Sequence, residues 1–247
     1  MTSPDPLILA QTEEPLIRWN WLADHTDELW ERTVQHIQLT VVSLVFGLLI
    51  ASVLAALIRR WRWTNGPITA VTTFLYAIPS IALFAALIPL LGTGTSVPTV
   101  ALTMYSLVVL TPFLVTAFDN VPDDAVDAAA GMGLTGHQRF WRVELPLALP
   151  TIIGGIRIAA VTIIGLVTVG GLFDLGGYGD FIDDGLSRDF PTVIIVGVVG
   201  SVLLALAVDL SLVGLGRVLS PWRYRTSRSA RSTPDRAGTP RPGAATW

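Results

Sequence analysis

The feature that most constrains this chain is a set of five long apolar runs. The clearest run, residues 39–58, reads LTVVSLVFGLLIASVLAALI and contains no charged side chain. A helix that crosses the roughly 30 Å hydrocarbon core of a bilayer needs about 20 such residues. The other four runs cover residues 67–91, 97–118, 151–173 and 191–215. Because the runs are apolar on every side, they predict helices that span a membrane rather than lie on its surface.

The composition excludes several classes of protein. Only 14% of the residues are charged, whereas a soluble domain carries roughly 25%. Cysteine and lysine are both absent, so the chain has no thiol chemistry and lacks the lysine that a Walker-type ATPase needs. No combination of Ser, His or paired acids suggests an enzyme. We also predict no metal site, because the three histidines, His25, His36 and His137, are not spaced as ligands.

The arginines predict the topology. They follow the first run (Arg59, Arg60, Arg62), the third run (Arg139, Arg142) and the fifth run, whereas the segments after the second and fourth runs are uncharged or mainly acidic. Positive charge marks the cytoplasmic side of a membrane protein. We therefore expect an all-α membrane protein of five spans, with its N-terminus outside and its C-terminus in the cytoplasm.

Three regions are expected along the chain. Residues 1–33 are polar and would form an extracytoplasmic segment, and residues 34–222 would form the membrane domain. Residues 223–247 consist mainly of Arg, Ser, Thr, Pro and Gly. Such a segment cannot bury an apolar core, so we expect a disordered cytoplasmic tail.

The long segment 119–150, between the third and fourth runs, predicts a helix-turn-helix. Asp123 and Asp124 suit the first turn of a helix, which is expected over residues 124–132. Gly133 would end that helix, and a second would run from Thr135 to about residue 142. Two prolines, at 146 and 150, are expected to break the entry to the fourth span. The result is a small cytoplasmic surface that another protein could bind.

The same segment resembles the EAA loop of binding-protein-dependent ABC importer permeases. That pattern is an acidic residue, two alanines, three residues, glycine, nine residues, an aliphatic residue, any residue, leucine and proline. The matching residues, with Asp in place of Glu and Val in place of Ile, are Asp127, Ala128, Ala129, Gly133, Val143, Leu145 and Pro146.

This resemblance implies the transmembrane subunit of an ATP-driven importer in a prokaryotic cell membrane. The loop would then dock on a cytoplasmic ABC ATPase subunit, which would bind the ATP, so the chain itself would need no cofactor. The other implied partners are a second permease (another copy or a paralogue), an extracytoplasmic substrate-binding protein and membrane lipid, but no nucleic acid.

A narrower resemblance concerns the cargo. Four segments, YAIPSIAL at 76–83, GMGLT at 131–135, residues 143–159 and GGYGDFI at 176–182, are similar to osmoprotectant permeases. Those proteins import glycine betaine, choline, carnitine or proline betaine. Methionine permeases share parts of the same sequence segments, so methionine or another amino acid is the alternative cargo. An ion-coupled transporter or channel is a more remote alternative, and association with an ATPase would exclude it.

Four side chains are candidates for lining the pathway: Tyr76, Pro79, Ser80 and Tyr105. Pro79 frees a backbone carbonyl inside the second run, and Ser80 could re-satisfy that carbonyl. The break could be a hinge that lines the pathway or a structural kink. Tyrosine rings can also attract a quaternary ammonium through cation–π contact.

Two charges interrupt the apolar runs, Arg157 in the fourth and Asp209 in the fifth. At 1.5 Å per residue, both are expected roughly 9–15 Å from the cytoplasmic face. An unpaired charge at the centre of a span is costly. We therefore predict an Arg157–Asp209 ion pair that fastens the fourth span to the fifth. Alternatively, Asp209 faces the pathway and attracts a cationic cargo.

Overall fold

The computed structural model describes residues 16–92 and 94–221, and this part of the chain is helical without a strand. The predicted tail and the first fifteen residues of the predicted N-terminal segment lie outside it. The helices are α1 (Trp19–Asp24), α2 (Thr26–Arg60), α3 (Asn65–Ala77), α4 (Ser80–Leu91), α5 (Ser96–Asp119), α6 (Asp123–Gly131), α7 (Gly136–Arg139), α8 (Leu145–Gly170), α9 (Tyr178–Ser187) and α10 (Pro191–Leu219).

Four of these helices, α2, α5, α8 and α10, are long and apolar enough to cross a membrane. The helices α3 and α4 together pass the same test but are bent by 93°. Within residues 16–92 and 94–221 there are therefore four helices of membrane length, or five candidate spans if the bent pair counts as one. The prediction of an all-α membrane protein is confirmed.

The second span, predicted over residues 67–91, is divided at Pro79, where the sequence predicts a hinge or a kink. The backbone is extended at Ile78 (ψ 126°) and at Pro79 (ψ 132°), between α3 and α4. Pro79 has no N–H to continue the helix, and its ring disfavours a helical conformation at Ile78. The apolar pattern locates this segment in the membrane but does not reveal the turn inside it.

The helices extend beyond the apolar runs. The first long helix begins at Thr26, ahead of the run that starts at residue 39, and the last one continues to Leu219, past the end of its run at 215. The two prolines do not break the entry to α8. Pro146 lies in its first turn, where no N–H partner is required, and the helix continues through Pro150.

The helices α2, α5 and α8 form the centre of the bundle, around two stacked clusters of buried side chains. The first cluster includes Leu39, Phe84, Val97, Leu102 and Ile163. The second includes Ala51, Leu110, Leu114, Ala148 and Ala159. Small residues allow membrane helices to approach closely. Gly155 shows this: a Cβ built there would lie 2.6 Å from the Cβ of Phe113.

The bundle has two differently charged ends. Arg32 and Arg59 lie near opposite ends of α2, roughly 40 Å apart at 1.5 Å per residue. The end that contains Arg59 also carries α6 and α7, and we call it the basic end. The end that contains Arg32 carries α1 and the short acidic helix α9, and we call it the acidic end.

Candidate functional site: the coupling loop and the bundle ends

The first helix of the loop, α6, begins with two aspartates after Pro122 and ends at Gly131. The chain then turns back through Gly133, whose φ is +81°. This left-handed conformation costs glycine little and other residues more. The amide of Leu134 donates to the carbonyl oxygen of Ala129 at 3.2 Å and closes the turn. The structure therefore has the helix end at the position where the sequence predicts it.

The second helix of the loop starts with a capping box. The Thr135 hydroxyl accepts from the amide of Gln138 (3.3 Å), and the Gln138 side-chain oxygen accepts from the amide of Thr135 (3.0 Å). The helix starts where predicted, but α7 already ends at Arg139. A π-helical turn, Phe140–Glu144, then leads directly into α8. The loop and the fourth span are thus continuous rather than separated by a break.

The structure divides the EAA-like residues into two groups. Asp127, Ala128 and Gly133 are exposed, and a partner can contact them. Ala129, at 1% exposure, is buried within the loop. The remaining three are half-buried where the loop joins α8, namely Val143, Leu145 and Pro146. The pattern therefore combines an exposed face with the residues that hold this face in shape.

Glu144 lies inside this pattern, at the position where any residue is allowed, and sequence reasoning missed it. The carboxylate is buried and accepts from Arg59 at 3.1 Å and from Arg139 at 3.2 Å. An acid immediately before the fourth span of a chain with so few charges is the signal that could have revealed it. Its neighbours could not have been read from spacing, because Arg59 is 85 residues away.

The candidate pathway residues meet where the second span is broken. The Tyr105 hydroxyl donates to the carbonyl oxygen of Ile78 at 2.6 Å, and the Tyr76 ring packs edge-to-face on the Tyr105 ring at 5.8 Å. Tyr105 therefore satisfies the Ile78 carbonyl in the turn between α3 and α4. Tyr105 is buried and Tyr76 is half exposed, so only Tyr76 presents an open ring face. Their role in transport remains a prediction.

Arg157 and Asp209 lie face to face between α8 and α10. The Nε and Nη2 atoms of Arg157 are each 2.8 Å from a different oxygen of Asp209. The arrangement is a bidentate ion pair, and such pairs are geometrically specific as well as strong. The structure thus brings together the two charges that interrupt the apolar runs.

At the acidic end, Asp180 links α9 to α2. Its carboxylate is buried, forms an ion pair with Arg32 and accepts from the amide of Gly176 at 3.1 Å. Burial raises the pKa of Asp180, and the nearby Arg32 charge opposes that shift. Gln35 extends the link by accepting from the amide of Gly177 at 3.1 Å. Sequence analysis predicted neither α9 nor these contacts.

A cavity of about 320 Å³ opens beside this link. Its lining combines aromatic and acidic side chains, among them Trp21, Phe181, Phe190, Glu28, Asp174, Asp183 and Asp184. The acids do not form a metal site: within residues 16–92 and 94–221, no group of three His, Asp or Glu side chains could hold a metal ion.

Helices of membrane length with a helical loop at one end and an acidic helix at the other define a multi-span membrane protein. The chain belongs to the family of binding-protein-dependent transport system inner membrane components, whose model matches residues 43–223. It is thus a membrane transport component, located in the inner membrane.

Its relatives include an osmoprotectant import permease protein of Salmonella typhimurium, which is 35% identical over 82% of this chain and 96% of the relative. A choline transport system permease protein of Bacillus subtilis is 33% identical over 81% of this chain and 93% of the relative. A glycine betaine/carnitine/choline permease protein of the same organism is 31% identical over 81% of this chain and 93% of the relative.

Solved structures share the fold. The inward-facing MetNI methionine ABC transporter matches with a TM-score of 0.66 at 22% identity, covering 82% of this chain and 99% of that one. An amino acid ABC transporter crystallised with histidines matches with a TM-score of 0.67 at 12% identity, covering 81% of this chain and 98% of that one.

Proposed function

We propose that this chain is the permease subunit of an ATP-driven importer for a compatible solute such as glycine betaine, choline, carnitine or proline betaine. One observation carries the proposal: three relatives with osmoprotectant, choline or carnitine cargo are 31–35% identical over at least 81% of this chain. The chain itself performs no catalysis. ATP is bound and hydrolysed by a separate cytoplasmic ABC ATPase.

The coupling loop, which consists of α6, α7 and the π turn (residues 123–144), is the surface on which that ATPase docks. Its exposed residues include Asp127 and Ala128 in α6, and Gly133 and Met132 in the turn that follows, where Met132 is 73% exposed. The basic end of the bundle is then cytoplasmic and the acidic end faces outward, as the arginine distribution predicts. A substrate-binding protein delivers the solute at the acidic end.

The membrane domain, residues 34–222, pairs with a second permease, and the solute passes between the two. Large apolar side chains on α10 are exposed, including Val202, Leu206 and Leu210, so lipid or the second permease covers this helix. The Arg157–Asp209 pair fastens α10 to α8. Tyr76, beside the break at Pro79, is the aromatic ring best placed to face a cationic solute.

Uptake by cells tests the cargo. The permease, its ATPase and its binding protein are expressed in a bacterium that lacks its own osmoprotectant importers. Uptake of radiolabelled glycine betaine, choline, carnitine and methionine is then measured at high osmolarity. We expect saturable uptake of at least one quaternary ammonium solute. Uptake of methionine alone would transfer the assignment to the amino acid alternative, and uptake without the ATPase would favour an ion-coupled transporter.

A further inference from the structure

Glu144 is one of two acidic side chains that are buried in the part of the chain that the structure describes, the other being Asp180. It closes the π-helical turn Phe140–Glu144, and α8 begins at the next residue. Such turns are rare and occur frequently at functional sites. Glu144, the last residue of this turn, is therefore a candidate for a functional role.

Both oxygens of the Glu144 carboxylate are occupied. Oε2 accepts from Nη2 of Arg59 at 3.1 Å, and Oε1 accepts from Nε of Arg139 at 3.2 Å. Arg59 belongs to the last turn of α2 and Arg139 is the last residue of α7. A buried carboxylate is stable only with such partners. Glu144 thus joins α2 to the coupling loop at the N-terminus of α8.

Aromatic rings bring α5 into the same cluster. The guanidinium carbon of Arg59 lies 4.6 Å from the centroid of the Phe118 ring, and the Phe118 ring stacks on Phe140 at 5.6 Å. Phe118 is in the last turn of α5, and Phe140 begins the π turn. We call this cluster the loop anchor: Arg59, Phe118, Arg139, Phe140 and Glu144.

The anchor connects α6 to α2 and α5 through the π turn, in addition to the short connection from α5 and the packing of Val126 on the buried cluster of the bundle. The helix α6 packs chiefly on α7 and on the π turn. A cavity of about 470 Å³, lined by Asp123 and Val126 of α6, lies between α6 and the ends of α2 and α5. A displacement of α6 would therefore move the π turn. Through Glu144 and Phe140, the π turn would in turn displace the ends of α2 and α5.

A second ion pair at the same end provides a contrast. Arg62 donates two hydrogen bonds of 2.8 Å to Asp119, the last residue of α5. The pair also links the ends of the first and third spans, but its side chains are more exposed, at 63% and 34%. It does not include the coupling loop. Asp119 is therefore a matched control for Glu144.

We propose that Glu144 is a positioning residue that transmits displacement of the coupling loop to α2 and α5. When Glu144 loses its charge, the loop still docks on the ATPase, but movement of the loop no longer displaces α2 and α5. The proposal rests on the proposed function, because it presumes that an ATPase moves the loop. The expected defect of a Glu144 variant is uncoupled ATP hydrolysis, in which ATP is hydrolysed but less solute is imported.

The first test measures solute imported per ATP hydrolysed by the complete importer in proteoliposomes. Glu144→Gln is nearly isosteric, and its loss of two charge-assisted hydrogen bonds should reduce that ratio about tenfold. Asp119→Asn should leave the ratio unchanged. An unchanged ratio in Glu144→Gln, or an equal fall in Asp119→Asn, would overturn the proposal. If Glu144→Gln does not accumulate, Arg59→Gln replaces it, with an expected fall of about threefold.

The second test uses the permease alone and so does not depend on its cargo. Because the chain contains no cysteine, spin labels can be attached at Met132→Cys in the loop and Val53→Cys in α2, both exposed positions. In nanodiscs, Glu144→Gln should broaden the distribution of distances between the labels, and Asp119→Asn should not. An unchanged distribution in Glu144→Gln would contradict the anchor. Absence of import by the unmodified protein would instead overturn the proposed function, and the label distances would then decide on the anchor alone.

Discussion

Arg157 on α8 and Asp209 on α10 meet in a bidentate ion pair, with both N–O distances 2.8 Å. Both helices are apolar enough to cross a membrane. In such surroundings each charge needs the other, since an aspartate is too short to reach the interface alone. We therefore interpret the pair as an interhelical ion pair that holds α8 against α10, two helices that otherwise pack through apolar side chains.

A charge-swap series tests this ion pair. Arg157→Asp and Asp209→Arg should each lower the amount of folded permease about threefold or more, because each leaves two like charges in contact. The double swap should restore part of the loss. The measurement is the monodisperse fraction after size-exclusion chromatography in mild detergent. If Asp209→Asn leaves this fraction unchanged and removes only uptake of cationic solutes, then Asp209 belongs to the pathway.

Two adjacent alanines of the coupling loop should respond differently to the same change. Ala128 is exposed, so Ala128→Glu should leave the permease folded and reduce the amount of ATPase that copurifies with it by about tenfold. Ala129 is buried at 1% exposure, so Ala129→Glu should lower the amount of folded permease itself, because it buries an unpaired charge. Normal ATPase binding by folded Ala128→Glu would contradict the proposed docking of the ATPase on the coupling loop.

Neighbouring glycines in α8 provide a test of helix packing. A Cβ at Gly155 would lie 2.6 Å from the Cβ of Phe113, whereas a Cβ at Gly154 would meet nothing within 4 Å. Gly155→Ala should therefore destabilise the permease by about 1–3 kcal/mol through overpacking. Gly154→Ala, measured as a control by the same thermal unfolding assay, should be neutral or slightly stabilising. Equal melting temperatures for the two variants would contradict the close approach of α5 and α8.

The orientation in the membrane has its own test. Reporters placed after Arg62, or near Arg228 in the tail, should be cytoplasmic, and reporters near Gly94 or Asp183 should be external. The physical reason is the retention of arginine on the cytoplasmic side. Activity of paired alkaline phosphatase and green fluorescent protein fusions measures the side. Reversed signals at Gly94 and Asp183 would overturn the orientation with the N-terminus outside.

Local chemistry determined how much of this structure the sequence could predict. Apolar runs of membrane length located the spans, and Gly133 and Thr135 marked the helix ends of the loop, because these signals act within a few residues. The 93° bend between α3 and α4 was out of reach, since Pro79 predicts a break but not an angle. The pairs Arg59–Glu144 and Arg32–Asp180 were also out of reach. Unlike Arg157 and Asp209, these charges do not interrupt an apolar run, so nothing in the sequence requires them to be paired.

The most direct test of the central claim is ATP-driven accumulation of solute by the purified importer. Proteoliposomes that contain this permease with its ATPase, and the binding protein on the outside, are loaded with ATP, and entry of radiolabelled glycine betaine, choline and carnitine is followed over time. We predict accumulation of at least one of these solutes above its external concentration, which stops when ATP is omitted or the binding protein is removed. Uptake of none of them, or uptake that proceeds equally well without ATP, would contradict the assignment as the permease of an ATP-driven osmoprotectant importer.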